Sequence, residues 1–570
     1  MAEPPVIWSA PRTDVQARLP DGRCLNAPVG TPLEAFARAL APPDGPQITA
    51  MLVNGVLREL IHPLHHDSDI TPLDMHDYDG MLIYRRTLVM LLAAAANECF
   101  PDTRLTIEHS LFAGGYFGRP LNRPAFSAEE LAQLEAHMRA LVEADAPIVR
   151  REVPLAEAIA LFGAQGDRDK VRLLHHRTAK NTMIVYTLRG YADYHYGYKL
   201  PSTGYLRWFG LQPLDDGFVL RFPRQAHPTR LDPIGADNNL LAVFEQYNEW
   251  LRSLGIDSVG ALNDAVEAGR GAEISLVQEA LQESQLADLV RQITNSARHV
   301  QLVLIAGPSA SGKTTFSKRL AVQLLARGVR PIILNMDDWF VNRVDTPRNA
   351  SGEYDFEALE AVDVPRLNRD LQALIQGATV TLPHYNFLTG EREPGDTVRA
   401  TPDTVFILEG IHGLNPALTP TIPLDRVFRI YISALTALNL DSFNRVSTTD
   451  TRIIRRLVRD AQFRGYSAAQ TLGRWEKVRA GERRYIFPYQ QHADAIFNSA
   501  LVHELSVLRP LAEPLLLQVQ PEQPEQLQAK RLISLLQWFK PLRLDDVPET
   551  SLLREFTGGS ALRDFRSWQS

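Results

Sequence analysis

Residues 300–306 are apolar at all but one position, the pattern of a strand buried on both faces of a parallel sheet. Phe316, Leu320, Leu324 and Leu325 then recur at helical spacing until Gly328 supplies a stop. Short apolar runs at 331–335, 404–408 and 427–432 alternate with helical stretches as far as about Leu508. That alternation predicts a doubly wound parallel sheet with helices on both faces. The chain before residue 300 reads differently. Residues 15–19 alternate, Pro20-Asp21-Gly22 forms a turn, and 33–40 carries a helical apolar face. Asn54-Gly55 between the apolar runs 50–53 and 56–60 is a two-residue hairpin signal. A small mixed domain is therefore expected up to about Tyr84. A strand-like run at 217–223, an irregular stretch at 232–235, and helical spacing over 238–254 and 276–297 lead into the sheet region. After it come a polar stretch at 518–528, an amphipathic helix near 531–539 and a tail with no usable motif.

Composition adds bounds. A chain of 570 residues exceeds one core, so several domains are expected. The net charge of -7 and pI near 6.1 give no global attraction to nucleic acid and make it a disfavoured partner, with a local basic patch left open. Cys24 and Cys99 form no metal-spaced pair and suit a reducing, cytoplasmic setting. Residues 1–11 show no signal-peptide pattern, and the longest apolar stretch, 87–96, is about half of a membrane span.

Chemistry concentrates at Gly307-Pro308-Ser309-Ala310-Ser311-Gly312-Lys313-Thr314, which fits G-x-x-x-x-G-K-[ST] at every specified position. A strand, a glycine-rich turn and a helix in that order aim backbone N–H groups and a positive helix end at one point. Lys313 adds a cation for the outer phosphates, and the Thr314 hydroxyl can reach a magnesium ion. Asp337-Asp338 follows the second strand, where the carboxyl ends of a doubly wound sheet converge. A carboxylate there can deprotonate an attacking hydroxyl or hold magnesium. Glu409 ends another strand and is a second candidate metal ligand. Arg452, Arg455, Arg456 and Arg459 fall at helical spacings of three and four and share a face, with Arg464-Gly465 following. They could form a lid over ATP, an RNA-facing helix, or a structural ion-pair cluster.

Two resemblances organise these readings. L-P-D-G, V-N-G and D-x-x-I-x-x-L in the first domain resemble the TGS domain, a β-grasp module. Ile107-Glu108-His109, Gly114-Gly115-Tyr116-Phe117, residues 129–142, 170–174 and 191–204 resemble the second additional domain of threonyl-tRNA synthetases. That domain edits mischarged tRNA through an H-x-x-x-H pair and a C-x-x-x-H pair. Here Thr87, Leu91, His195 and Lys199 stand at those four positions, so a zinc site and editing are not expected.

The phosphate loop, Met336-Asp337-Asp338-Trp339-Phe340, Tyr354-Asp355-Phe356, Pro383-His384-Tyr385-Asn386-Phe387, Glu409-Gly410-Ile411, the 455–465 run and Ala493-Asp494 are ordered as in the uridine kinase/phosphoribulokinase family. The resemblance implies an ATP- and Mg2+-dependent kinase of a small-molecule hydroxyl, with a nucleoside as acceptor. Sugar kinase and RNA- or ribosome-associated P-loop regulator remain the alternatives. It also implies roles. Asp337 is the base, while Lys313, Arg456, Arg459 and Arg464 act on the transferring group. Residues 307–314 with Thr315 bind ATP; Thr314, Glu409 and Asp337 hold the metal; and Asp338, Asp355, Tyr385 and Arg392 face the acceptor. Gly390 stands where uridine–cytidine kinases place a histidine against the base, and Tyr466 replaces a second lid arginine. The implied fold class is multidomain α/β. A TGS-like β-grasp (1–84), an α+β editing-like region (85–230) and a helical connector (231–298) precede the P-loop kinase (299–508), and a helix and tail (509–570) follow. A homo-oligomer is compatible with such an arrangement.

Overall fold

The computed structural model describes residues 12–42, 45–111, 114–177, 180–233, 238–295, 298–349, 352–401 and 403–566. The opening stretch 1–11, the expected irregular segment beyond Pro233, the end of the expected helix at 296–297 and the final four residues of the tail lie outside them.

Five parallel strands form the sheet of the C-terminal half, in the order Arg330–Asn335, Thr404–Glu409, Leu302–Ala306, Val427–Ser433 and Ala495–Asn498. Leu302–Ala306 and Thr404–Glu409 are buried throughout, as a sheet covered on both faces requires. The fifth strand, Ala495–Asn498, has only four residues and escaped the pattern reading. An antiparallel hairpin, Thr379–Asn386 with Glu391–Arg399, stands beside this sheet.

The first domain is a mixed five-stranded sheet. Asp14–Arg18 pairs in parallel with Ser68–Leu73, and Ala50–Val53 pairs with Val56–Arg58 across Asn54-Gly55. Asn54 takes a positive φ of 49°, as the two-residue turn demands. A helix, Tyr78–Cys99, then leads into a four-stranded and a three-stranded antiparallel sheet. The connector is helical: Asn238–Ser253, Val259–Glu267 and Gly271–Asn295.

Hydrophobic cores do not follow the expected borders. One core joins the first domain to part of the editing-like region, including Tyr84, Leu91, Phe209 and Phe218. Another joins Val153, Phe162 and Leu173 of that region to the connector, the kinase helices and the C-terminal segment. The last boundary shifts as well. Helix Glu504–Leu516 runs across residue 508 with Pro510 and Pro514 inside it, and the following helix is Gln526–Leu536 rather than 531–539. The tail, which carries no usable sequence motif, folds back onto the phosphate loop through buried Leu552, Leu553 and Phe556.

Candidate active site

The phosphate loop turns sharply between Leu302–Ala306 and helix Lys313–Leu325. Gly312 sits at φ +89° as the residue before that helix, a conformation that L side chains avoid. A Cβ on Gly307 would lie 2.0 Å from the Ile432 carbonyl oxygen, so the loop hugs the neighbouring strand. Lys313 curls over the loop and donates from Nζ to the carbonyls of Gly307 (2.8 Å) and Pro308 (3.2 Å). Burial lowers its pKa, while Glu409, Glu555, Glu482 and Asp337 oppose that shift.

Thr314 donates from Oγ1 to Glu409 at 2.9 Å. Burial raises the Glu409 carboxyl to about 7, against the pull of Lys313 and the Thr314 hydroxyl; Glu555 and Asp337 add like charge. Asp337 comes from a 3-10 turn, Met336–Trp339, directly after strand Arg330–Asn335. Burial raises it to about 6, opposed by Lys313 and Arg464 and reinforced by Asp338. Lys313, Thr314, Glu409 and Asp337 thus share one electrostatic pocket. Two hard oxygen ligands beside a hydroxyl, in a site where burial disfavours their charge, suit a divalent ion such as Mg2+.

The arginine-bearing helix is Thr448–Arg464, closed by Gly465 at φ +67°. Its arginines divide by depth. Arg452 forms a bidentate pair with Glu482 at 2.7 and 2.6 Å, and Arg455 is fully buried against Glu504 and the Ser499 carbonyl. Both are structural. Arg456 reaches the loop and donates to Ser309 Oγ at 2.7 Å. Arg456, Arg459 and Arg464 surround Asp460 at 3.2, 2.9 and 3.5 Å. Three cations on one buried carboxylate leave a positive excess beside the loop.

The expected acceptor residues are dispersed. Asp338 turns toward the hairpin, accepting from Tyr385 N (3.3 Å) and lying 3.0 Å from His384 Nδ1. Asp355 accepts from the Tyr485 hydroxyl at 3.1 Å. Tyr385 is buried beneath Phe340 and Phe387, with its hydroxyl unpartnered. Arg392 pairs with Asp363 at 2.9 Å, close to the hairpin turn. Gly390 has φ +77° and packs against the Arg343 side chain.

Three acids at the site escaped sequence reading. Glu357 is raised to about 7 by burial and by Glu482, with Lys313 and Arg456 opposing; only its neighbour Asp355 was legible as part of a motif. Glu482 accepts from Ser309 N at 2.9 Å. Glu555, from the C-terminal segment, accepts from Thr315 N at 3.0 Å. Leu552 of the same segment lies so close that a Cβ on Gly312 would be 2.3 Å from its Cδ2. Lys318 donates to the carbonyls of Leu562 and Arg563. No local pattern in the tail announces these contacts.

In the editing-like region the four equivalent positions are each engaged elsewhere. Thr87 accepts from Leu200 N at 3.0 Å and donates to Ile83 O, Leu91 is core, and Lys199 pairs with buried Asp193 at 3.1 Å. His195 accepts from Gly197 N at 3.0 Å.

Comparison with known proteins agrees with this division. Threonine–tRNA ligases match the N-terminal region. That of Symbiobacterium thermophilum is 32% identical over 197 residues, covering 35% of this chain and 30% of the ligase. That of Janthinobacterium sp. is 30% identical over 200 residues, covering 35% and 31%. The chain therefore spans about a third of the length of these relatives. Among solved structures, a possible uridine kinase from Bacillus stearothermophilus is 23% identical, covering 26% of this chain and 79% of that one at a TM-score of 0.22, too low to carry an argument. Residues 302–506, which hold the phosphate loop, Asp337, Glu409 and the arginine helix, match the Phosphoribulokinase / Uridine kinase family and form a domain of that family.

Proposed function

We propose that the protein is an ATP-dependent kinase that phosphorylates a hydroxyl of a small molecule, with the 5′-hydroxyl of a nucleoside as its acceptor. The observation that carries this reading is the meeting of Lys313, the Thr314–Glu409 pair and the raised carboxyl of Asp337 at one phosphate loop. A motor or switch needs the loop and a metal ligand; a carboxylate poised near neutrality beside them suits proton abstraction.

Magnesium, held by Thr314 and Glu409 with Asp337 alongside, would neutralise charge on the phosphates of ATP. The chain's own groups do the rest. Backbone N–H groups of 309–315 orient the phosphates, and Lys313 leaves its loop carbonyls to reach the outer ones. Arg456, Arg459 and Arg464 offset the charge that grows on the transferring group. The acceptor oxygen forms the new bond to the γ-phosphorus, the bond to the β–γ bridging oxygen breaks, and Asp337 takes the hydroxyl proton as ADP leaves. Glu357, near neutral at physiological pH, can hold a hydroxyl of the acceptor without adding a full negative charge.

A sugar acceptor is the second reading. Gly390, where uridine–cytidine kinases carry a base-reading histidine, offers no side chain and is filled by Arg343. An ATP-consumption screen over nucleosides, sugars and sugar phosphates, with Lys313→Ala as blank, separates the two. Turnover with polyols alone rejects the nucleoside; no turnover above the blank with any hydroxyl rejects the kinase. Asp337→Asn should lower kcat by about a hundredfold or more and leave ATP affinity within a fewfold. A loss within about tenfold, ~1.4 kcal/mol, rejects Asp337 as the base.

A further inference from the structure

Between the editing-like region and the arginine helix lies a cavity of about 140 Å³, separate from the nucleotide site. Arg85 and Arg86 enter it from helix Tyr78–Cys99, and Arg445 from the segment leading into the arginine helix. Of the two carboxylates on its wall, Asp193 pairs with Lys170 and Lys199, at 3.0 and 3.1 Å, and Asp450 pairs through Oδ2 with Arg531 at 2.5 Å while its Oδ1 has no hydrogen-bond partner. Among the described residues, no carboxylate forms an ion pair with Arg85, Arg86 or Arg445. Their planes rest instead on Phe222, Tyr196 and Tyr116, at 4.5, 5.4 and 4.9 Å. Arg85 Nε is buried with no hydrogen-bond partner, and Arg445 donates from Nε only to the Glu108 carbonyl, at 3.1 Å.

Stacking pre-orders guanidinium groups while leaving their edges available, and unpaired cations under poor solvation favour an anion. Hydroxyls of Ser447 and Thr449 also line the cavity, and Ser447 caps the arginine helix by accepting from Thr449 N. An anion there meets the positive end of that helix as well. We propose that this cavity binds a small phosphate, as the free ion or a compact phosphomonoester.

The geometry selects that class. Three guanidinium groups call for about two negative charges and several acceptor oxygens, which a phosphate monoester supplies and a monocarboxylate does not. The volume is below the roughly 300 Å³ at which drug-sized ligand pockets begin, so a whole nucleotide does not fit. The site is composite: Arg85 and Arg86 come from the synthetase-like part and Arg445 from the kinase-like part, so neither region alone would contain it. Its ligand would sit at the start of the helix whose far half carries Arg456, Arg459 and Arg464 toward the phosphate loop.

The test titrates inorganic phosphate, and separately glycerol 3-phosphate, calorimetrically into the full chain carrying Lys313→Ala, which removes the main cation of the nucleotide site. One equivalent should bind, and adding Arg86→Met or Arg445→Met should weaken binding at least about tenfold, with Arg445→Lys weakening it less. Tighter binding of glycerol 3-phosphate identifies a phosphomonoester; equal binding identifies the free ion. No saturable binding at millimolar concentration, or binding indifferent to both methionine substitutions, overturns the proposal. If the methionine variants do not fold, the Lys313→Ala parent decides: phosphate must raise its melting temperature and raise that of Arg445→Lys less, and failure of either overturns the site.

Discussion

At the residue scale, the buried acids around the phosphate loop set the pH dependence expected of the chain. Asp337, Glu357 and Glu409 all have raised pKa values in the folded chain, chiefly through burial. Groups raised in this way favour folding fully below their unfolded values, and that contribution is lost as pH rises through the folded values, here about 6 to 7. The ligand-free protein should therefore lose stability between about pH 4 and 7 through these groups. Glu357→Gln should recover on the order of 1–2 kcal/mol at pH 8 and little at pH 5, read as melting temperature at both. A substitution equally stabilising at both values would mean that charge is not the cause. Activity runs the other way: kcat/KM should rise with pH through about 6, as Asp337 loses its proton, and this limb should vanish in Asp337→Asn.

At the element scale, the C-terminal segment covers the loop. The Thr315 N–H, which a bound phosphate needs, is held by the carboxylate of Glu555. Glu555→Gln keeps the shape and removes the competing charge, so nucleotide affinity measured by titration should rise by about tenfold. Unchanged or weaker affinity would show that Glu555 does not compete with phosphate. This segment also marks the limit of what the sequence revealed. The central strands were legible because a parallel strand covered on both faces must be apolar throughout, and Leu302–Ala306 is. The loop was legible because its backbone conformation restricts residue types, as at Gly312. Hairpin strand Thr379–Asn386 was missed because its alternation of Val380 and Leu382 with threonines is broken at Pro383, where the pairing register also shifts. Helix Arg554–Thr557 is a single turn held by burial of Leu552, Leu553 and Phe556 against distant elements, which no local period encodes. The division of the arginines was equally hidden: Arg452 and Arg455 look like Arg456 in sequence, and only their partners, Glu482 and Glu504, set them apart.

At the scale of the whole molecule, cores cross the borders that the two resemblances suggest. Val153, Phe162 and Leu173 pack with the connector and the kinase helices rather than with their own sheet alone. Arg531 of helix Gln526–Leu536 pairs with Asp450 at the start of the arginine helix, within 3.9 Å of Asp79 on helix Tyr78–Cys99. Such shared burial couples the parts, and calorimetry should record one main unfolding transition spanning the synthetase-like and kinase-like regions. Two well-separated transitions, one matching an isolated 299–566 fragment, would show that the cores are independent. Within the described residues, no helix is long and apolar enough to cross a membrane.

The covering of the phosphate loop by residues 552–563 also bears on biosynthesis. A ribosome delivers this segment only after every strand of the sheet and the loop itself, so the nascent kinase passes through a stage in which Thr315 and Gly312 are uncovered. On the function proposed above, nucleotide would meet the open loop before Glu555 and Leu552 can reach it. The first occupant of a newly made molecule would then be set by a race between diffusion of ATP and elongation of the chain.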